Sequence, residues 1–137
     1  MLKAAISVLT AAVLMTSPSV GENKIPEGWL VWHSYTDYSS MDSRLYVKSP
    51  DGEIKEICGD FTAPMNGAFG KTPDKITFMA IDTKADEWDI YVYDDGDKKV
   101  VNLTPCSGYR NEDPKWSPDG RSIVFKRGHW DSSVNDF

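Results

Sequence analysis

Catalysis needs acids, bases, nucleophiles or metal ligands at set spacings, and this 137-residue chain offers few of them. Its two histidines, His33 and His129, are far apart and out of step with the internal spacing described below. They read as separate surface imidazoles, since a metal site needs three or four ligands. The sequence has no Gly-x-Ser-x-Gly elbow, no His-Glu-x-x-His pair and no phosphate loop. The acidic run Asp94-Asp95-Gly96-Asp97 supplies carboxylates but lacks the alternating acids and distal Glu of a calcium loop. It reads as a solvated hairpin turn, with Asp95-Gly96 at its tip. Asn102-Leu103-Thr104 fits the glycan-acceptor pattern, yet it sits inside an apparent strand and reads as strand sequence. No catalytic residue, metal site or cofactor is assigned, and the expectation is a protein that is not an enzyme.

What remains is recognition. Three stretches, roughly one repeat apart, combine aromatic and acidic side chains: Tyr35, Asp37 and Tyr38; then Asp82, Asp86, Glu87 and Trp88; then His129, Trp130 and Asp131. Aromatic faces beside hydrogen-bonding groups suit a sugar or a polar peptide. The competing reading has Trp88 and Trp130 packed over strand ends, burying their large area. Tyr35, Asp37, Tyr38, Asp82, Trp88, His129, Trp130 and Asp131 form the candidate ligand rim, with a protein or carbohydrate as the expected partner. A net charge of −6 with no basic patch argues against nucleic acid.

Residues 1–21 read as an address. Lys3 is their only charge, Ala4–Met15 is apolar, and Thr16-Ser17-Pro18-Ser19-Val20-Gly21 ends the run with small residues. That order is a secretory signal, and the apolar centre falls short of the ~20 residues a membrane span needs. An uncleaved anchor is the alternative, and the segment is the one expected link to a membrane. Export to a periplasmic or extracellular space puts Cys58 and Cys106 where a disulfide can form. Two cysteines allow one pairing, and the sequence leaves a bridge and two separate thiols both open.

The elements that must hold the rim are strands, and they repeat. Trp29–Trp32 aligns with Lys75–Phe78 and with Ser122–Phe125, at offsets of 46 and 47. Arg44–Val47 aligns with Asp89–Val92, at an offset of 45. Phe69–Asp74 aligns with Trp116–Arg121, again at 47. Independent landmarks on one spacing mark a true repeat. The segments are rich in β-branched and aromatic residues and are separated by turn chemistry: Ser49-Pro50-Asp51-Gly52, Asp95-Gly96 and Pro118-Asp119-Gly120. No helical period of apolar residues occurs after residue 22. The expected strands are 29–33, 44–48, 53–57, 65–69, 75–80, 89–94, 99–103, 114–117 and 122–127. Leu30, Trp32, Ile76, Phe78, Ile90, Ile123 and Phe125 are expected in the core. The connections 34–43, 81–88 and 128 onward read as long loops.

A four-stranded antiparallel unit of about this length, repeated, describes a β-propeller blade. Asp89-Ile90-Tyr91-Val92, Asn102-Leu103-Thr104 and Asp113-Pro114-Lys115-Trp116-Ser117-Pro118-Asp119-Gly120-Arg121-Ser122-Ile123-Val124-Phe125 resemble the TolB-type propeller repeat, a relative of the WD40-like repeat. The likeness is tight over 89–125 and looser over 29–80, where Phe69 stands for the Trp. It implies an all-β, incomplete β-propeller preceded by a signal peptide: a partial blade over 25–57, a full blade over 64–103 and a partial blade over 113–137. Propellers close with about four to eight blades, so some two and a half cannot close a ring. Further blades from the same or another chain would complete it; the missing third strand of the last blade favours a longer polypeptide, and an open sheet stack is the remaining option. The resemblance implies an exported, non-catalytic binding or scaffold module. The alternative it implies is the N-terminal propeller of a larger enzyme, such as a prolyl-oligopeptidase-like peptidase or a polysaccharide lyase.

Overall fold

The computed structural model describes residues 27–129. They are all-β apart from one short 3-10 turn at Tyr38–Ser40. The strands are β1 (Leu30–Ser34), β2 (Arg44–Lys48), β3 (Ile54–Ile57), β4 (Thr62–Phe69), β5 (Lys75–Asp82), β6 (Glu87–Asp94), β7 (Lys99–Asn102), β8 (Arg110–Trp116) and β9 (Ile123–Gly128). They form three antiparallel meanders, β1-β2-β3, β4-β5-β6-β7 and β8-β9. The signal segment at 1–21, Ile25 at the start of the first partial blade, and Trp130 and Asp131 lie outside the described residues.

The three sheets stack face to face. Strand side chains alternate between faces, and β5 is apolar on both. Ile76, Phe78 and Ala80 join Leu45, Val47, Ile57, Tyr91 and Tyr93 in a core between the first and second sheets. Met79 joins Ala63, Met65, Trp88 and Ile90 in a second core, which Ile123 of the third sheet meets. The middle sheet is therefore covered on both sides, and five consecutive residues of β5, Ile76–Ala80, are buried. The outer faces of the flanking sheets have no such cover among the described residues. Leu30 (55% exposed), on such an outer face, and Phe125 (36%), which shares the inward face of Ile123 but lies at the margin of the stack, depart from the core assignment made for them, and Trp32 and Ile123 are half-buried.

The turns follow local chemistry. In the β2–β3 turn the Gly52 N–H donates to the Ser49 carbonyl (3.0 Å), and Gly52 takes φ 95°. The β4–β5 and β8–β9 hairpins close alike despite different sequences: Gly70 N–H donates to the Lys75 carbonyl (2.7 Å) and Ser117 N–H to the Ser122 carbonyl (2.8 Å). The β6–β7 turn differs from expectation. It spans Asp95–Lys98, and the left-handed residue is Lys98 (φ 52°), with Gly96 outside that region. Asp94 Oδ1 accepts from Gly96 N–H (3.0 Å) and Asp97 N–H (3.3 Å), which holds the four-residue loop without glycine's freedom.

Two strands begin earlier than expected, β4 at Thr62 and β8 at Arg110. Each contains a proline, Pro64 and Pro114, which cannot donate to a ladder. Each strand accommodates it at a register shift, with Ala63, Asn66 and Asp113 at positive φ. Asn66 and Asp113 stand one repeat apart, and Asn66 Nδ2 donates to Asp113 Oδ1 at 2.6 Å across the sheet interface.

Candidate functional site

The β1–β2, β5–β6 and β7–β8 connections emerge at one end of the stack, where the rim was expected. In the first, Asp37 caps the 3-10 turn: its carboxylate accepts from Ser39 N–H (2.8 Å), Ser40 N–H (3.2 Å) and Ser40 Oγ (2.7 Å), as well as from Ser39 Oγ. The serine hydroxyls, and then the Ser39 amide, pull its pKa down to about 2. The turn presents two half-exposed rings, with Tyr35 and Tyr38 edge to face at 6.5 Å and Tyr35 stacked on His33 at 5.8 Å. His33 Nδ1 accepts from Asn66 N–H (3.3 Å), and burial lowers its pKa. The imidazole is thereby tied to the β4 bulge.

The second rim segment is shorter than expected. β5 runs through Asp82 and β6 starts at Glu87, leaving a four-residue turn with Asp86 at φ 53°. Asp82 caps that turn, accepting from Lys84 N–H (2.9 Å) and Ala85 N–H (3.4 Å). Trp88 pairs with Ile81 and is buried at 7% exposure, so its indole packs in the second core and offers no open platform. Third, His129 is exposed and lies 4.9 Å from the Tyr109 ring.

One residue that the sequence did not single out joins these segments. Arg110, at the start of β8, lays its guanidinium over the Trp88 ring at 5.5 Å. Its Nη2 donates to the Tyr38 hydroxyl (3.0 Å), and its Nε pairs with Glu112. The arginine links all three sheets at the rim. The available signal was positional: β8 opens at the same end as the two preceding connections. Beside it, a cleft of about 250 Å³ is lined by Asp86, Glu87, Trp88, Tyr109 and Arg110. Glu87 Oε1 accepts from Gly108 N–H (3.0 Å), while its Oε2 is buried without a partner among the described residues.

Other polar groups prove structural. Asp89 is fully buried and accepts from Thr104 Oγ1 (2.8 Å), Asn102 Nδ2 (2.8 Å) and Asn111 Nδ2 (3.4 Å). The Asn102 amide is thus part of an internal network, and its Oδ1 accepts from Thr104 N–H (2.9 Å). At the opposite end, Asp94 pairs with Lys75, and Asp95 accepts from Lys55, Lys98 (2.7 Å) and Tyr93 Oη (2.6 Å). Burial alone would raise the Asp95 pKa, but these three donors hold it well below the usual carboxylate range. Among the described residues no group of three His, Cys, Asp or Glu is placed to hold a metal ion. Cys58 (buried) and Cys106 (exposed) are free thiols, so the one available pairing is not formed. No family model, curated protein or solved structure matches the chain.

Proposed function

We propose that the chain is an exported, non-catalytic propeller-type repeat segment of the TolB kind, a binding or scaffold module that takes a protein or glycan at its loop rim. The repeat supports the fold half of this reading. Hairpins Gly70–Lys75 and Ser117–Ser122 close with the same hydrogen bond, and Asn66 and Asp113 bulge at equivalent places. The stacked pair Trp32–Tyr46 (5.5 Å, 23°) also has the geometry of Phe78–Tyr91 (5.4 Å, 20°). A stack of this sort is completed by further blades, from the same or another chain.

The observation that carries the binding half is the Tyr35–Tyr38 pair. Two half-exposed aromatic rings are fixed from below by the Asp37 cap and from the side by Arg110. Rings held in advance lose little freedom on binding, and each offers a face and a hydroxyl to a sugar or a polar peptide. A glycan array and a pull-down from envelope extract test this directly. The expected result is a specific ligand whose capture falls at least about tenfold in Tyr35→Ala/Tyr38→Ala, the loss of about 1.4 kcal/mol. Binding unchanged by the double substitution, or no ligand in either assay, refutes the reading.

A further inference from the structure

A second recessed site lies at the end of the stack opposite the rim. There the first and second sheets part near their hairpin turns and leave a cleft of about 250 Å³. Its floor belongs to the first core: Val47 and Ile57 come from the first sheet, Ile76 and Tyr93 from the second, and all four are buried. Trp29 adds an indole to the wall. The cleft is smaller than the about 300–1,000 Å³ of pockets that take drug-sized ligands, so it suits a single ring or a short branched chain and not an oligosaccharide.

The charges around that apolar floor do not balance. Alternation carried back from β3 puts Glu53 on the inward face with Lys55 and Ile57. Carried back from β5, it puts Asp74 on the face of Ile76 and Phe78. The two carboxylates therefore reach the cleft from opposite walls. Among the described residues that line it, Asp95 is the third acid and Lys55 the single cation. Those two neutralise each other: Lys55 pairs with Asp95 and lies 5.9 Å from the centre of the Tyr93 ring, while Tyr93 Oη (2.6 Å) and Lys98 Nζ (2.7 Å) complete the Asp95 contacts. Glu53 and Asp74 are left over, since neither side chain has a hydrogen bond or an ion pair among the described residues. Lys75 feels the Asp74 charge, but its ammonium pairs with Asp94. Three carboxylates against one ammonium leave the lining at −2.

We propose that this cleft binds a small organic ammonium ion: the apolar body enters against Val47, Ile57 and Ile76, and the ammonium stands between Glu53 and Asp74. An anion would meet two uncompensated carboxylates, and a neutral ligand would leave their charge unanswered. An ammonium brings three donors and the missing positive charge. A free amine and a lysine side chain present the same group. The site is separate from the Tyr35–Tyr38 rim, and neither depends on the other.

Titration of the full chain with benzylammonium, benzyl alcohol and benzoate tests it, read by calorimetry and by the NMR resonance of the Trp29 indole N–H. The expected result is a saturable Trp29 shift with benzylammonium, affinity at least about tenfold above that of benzyl alcohol, and no binding of benzoate. Glu53→Gln/Asp74→Asn should cut amine affinity at least about tenfold at an unchanged urea midpoint, because neither carboxylate holds the fold. Tyr35→Ala/Tyr38→Ala should leave amine binding intact, which separates this site from the rim. A blocked Gly-Lys-Gly peptide identifies the source: binding as tight as that of benzylammonium assigns the site to a protein lysine, and exclusion of the peptide assigns it to a free amine. An alcohol that binds as well as the amine, amine affinity that survives Glu53→Gln/Asp74→Asn, or no saturable shift with either amine overturns the proposal. A lowered midpoint in that double variant overturns it as well, since the carboxylates would then belong to the fold.

Discussion

Gly67→Ala probes the first interface at its closest approach. Gly67 lies in β4, and a Cβ there would fall 2.7 Å from Val31 Cγ2 and 3.0 Å from Leu45 Cδ1. Both neighbours belong to the sheet β1-β2-β3 packed against it, and Leu45 is fully buried with nowhere to retreat. Gly67 is not at positive φ, so alanine brings no backbone strain and, by restricting the unfolded chain, should stabilise by about 0.4–1 kcal/mol. Overpacking a filled site costs about 1–3 kcal/mol and should outweigh it. The expected net loss is about 1–2 kcal/mol, read as a lower urea midpoint at unchanged slope. The decisive comparison adds Val31→Ala. Alone, that change removes two partly buried carbons and costs about 1 kcal/mol at roughly 0.8 kcal/mol per carbon. In the Gly67→Ala background it also vacates the space the new methyl needs, so the pair should cost at least about 0.5 kcal/mol less than the sum. Additive losses, or a Gly67→Ala protein as stable as the native one, would show that the first and second sheets do not pack as described.

Three further outcomes follow from the polar and sulfur groups. Asp89→Ala takes the acceptor from the buried Thr104 hydroxyl and the half-buried Asn102 amide, while Asn111 keeps its bonds to Trp88 and Ser107, and should cost about 2–4 kcal/mol, whereas Thr104→Val should cost about 1–2 kcal/mol; chemical denaturation ranks the two, and near-equal small losses would deny the network. The serine-held Asp37 carboxylate has a folded pKa of about 2 against an ordinary 3.8, so its contribution to stability is complete above about 4 and disappears as pH falls through about 2. The Ser39 and Ser40 amide resonances should follow that lower midpoint, and a midpoint at the ordinary value would mean the cap does not form. Cys106 should react at once with a thiol reagent, while Cys58, whose pKa burial pushes up to about 12, should react only on unfolding; two rapid equivalents would contradict its placement.

Strand positions were legible because β-branched and aromatic runs alternate with Pro, Asp and Gly. The expected 44–48, 75–80 and 89–94 fall within β2, β5 and β6. Features that depend on packing between sheets were not. Leu30 and Phe125 are as apolar as Ile76 and Phe78, but only a neighbouring sheet makes such a residue core, and theirs faces outward or lies near the stack's margin. Trp88 reads as a loop aromatic until Ile81 is seen to pair with it inside the sheet. Asp95-Gly96 carries the sequence mark of a two-residue turn, yet the Asp94 carboxylate organises a longer one with Lys98 in the left-handed region. The expected starts of β4 and β8 fell short because a bulge, invisible in composition, lets each strand extend back through Pro64 or Pro114. Arg110 was missed altogether: its role comes from reaching residues 22 and 72 positions away, a geometry no local pattern encodes.

The two-sided burial of β5 has one more implication. In a sheet with a wet face, slipping by one residue throws apolar side chains into water, and that penalty polices alignment. Here a slip would exchange Ile76, Phe78 and Ala80 for Thr77, Met79 and Ile81, a set that is also largely apolar, its one polar group being the Thr77 hydroxyl that donates to the Tyr91 carbonyl (2.9 Å). Hydrophobicity is thus a poor proofreader for the strand on which both cores depend. The proofreading falls to its partners: the kinked β4 beside it, whose left-handed Ala63 and Asn66 fit one alignment, and the Asp82-capped corner that starts β6. Smoothing those irregularities should leave a chain that still collapses but no longer knows which way each side chain ought to point.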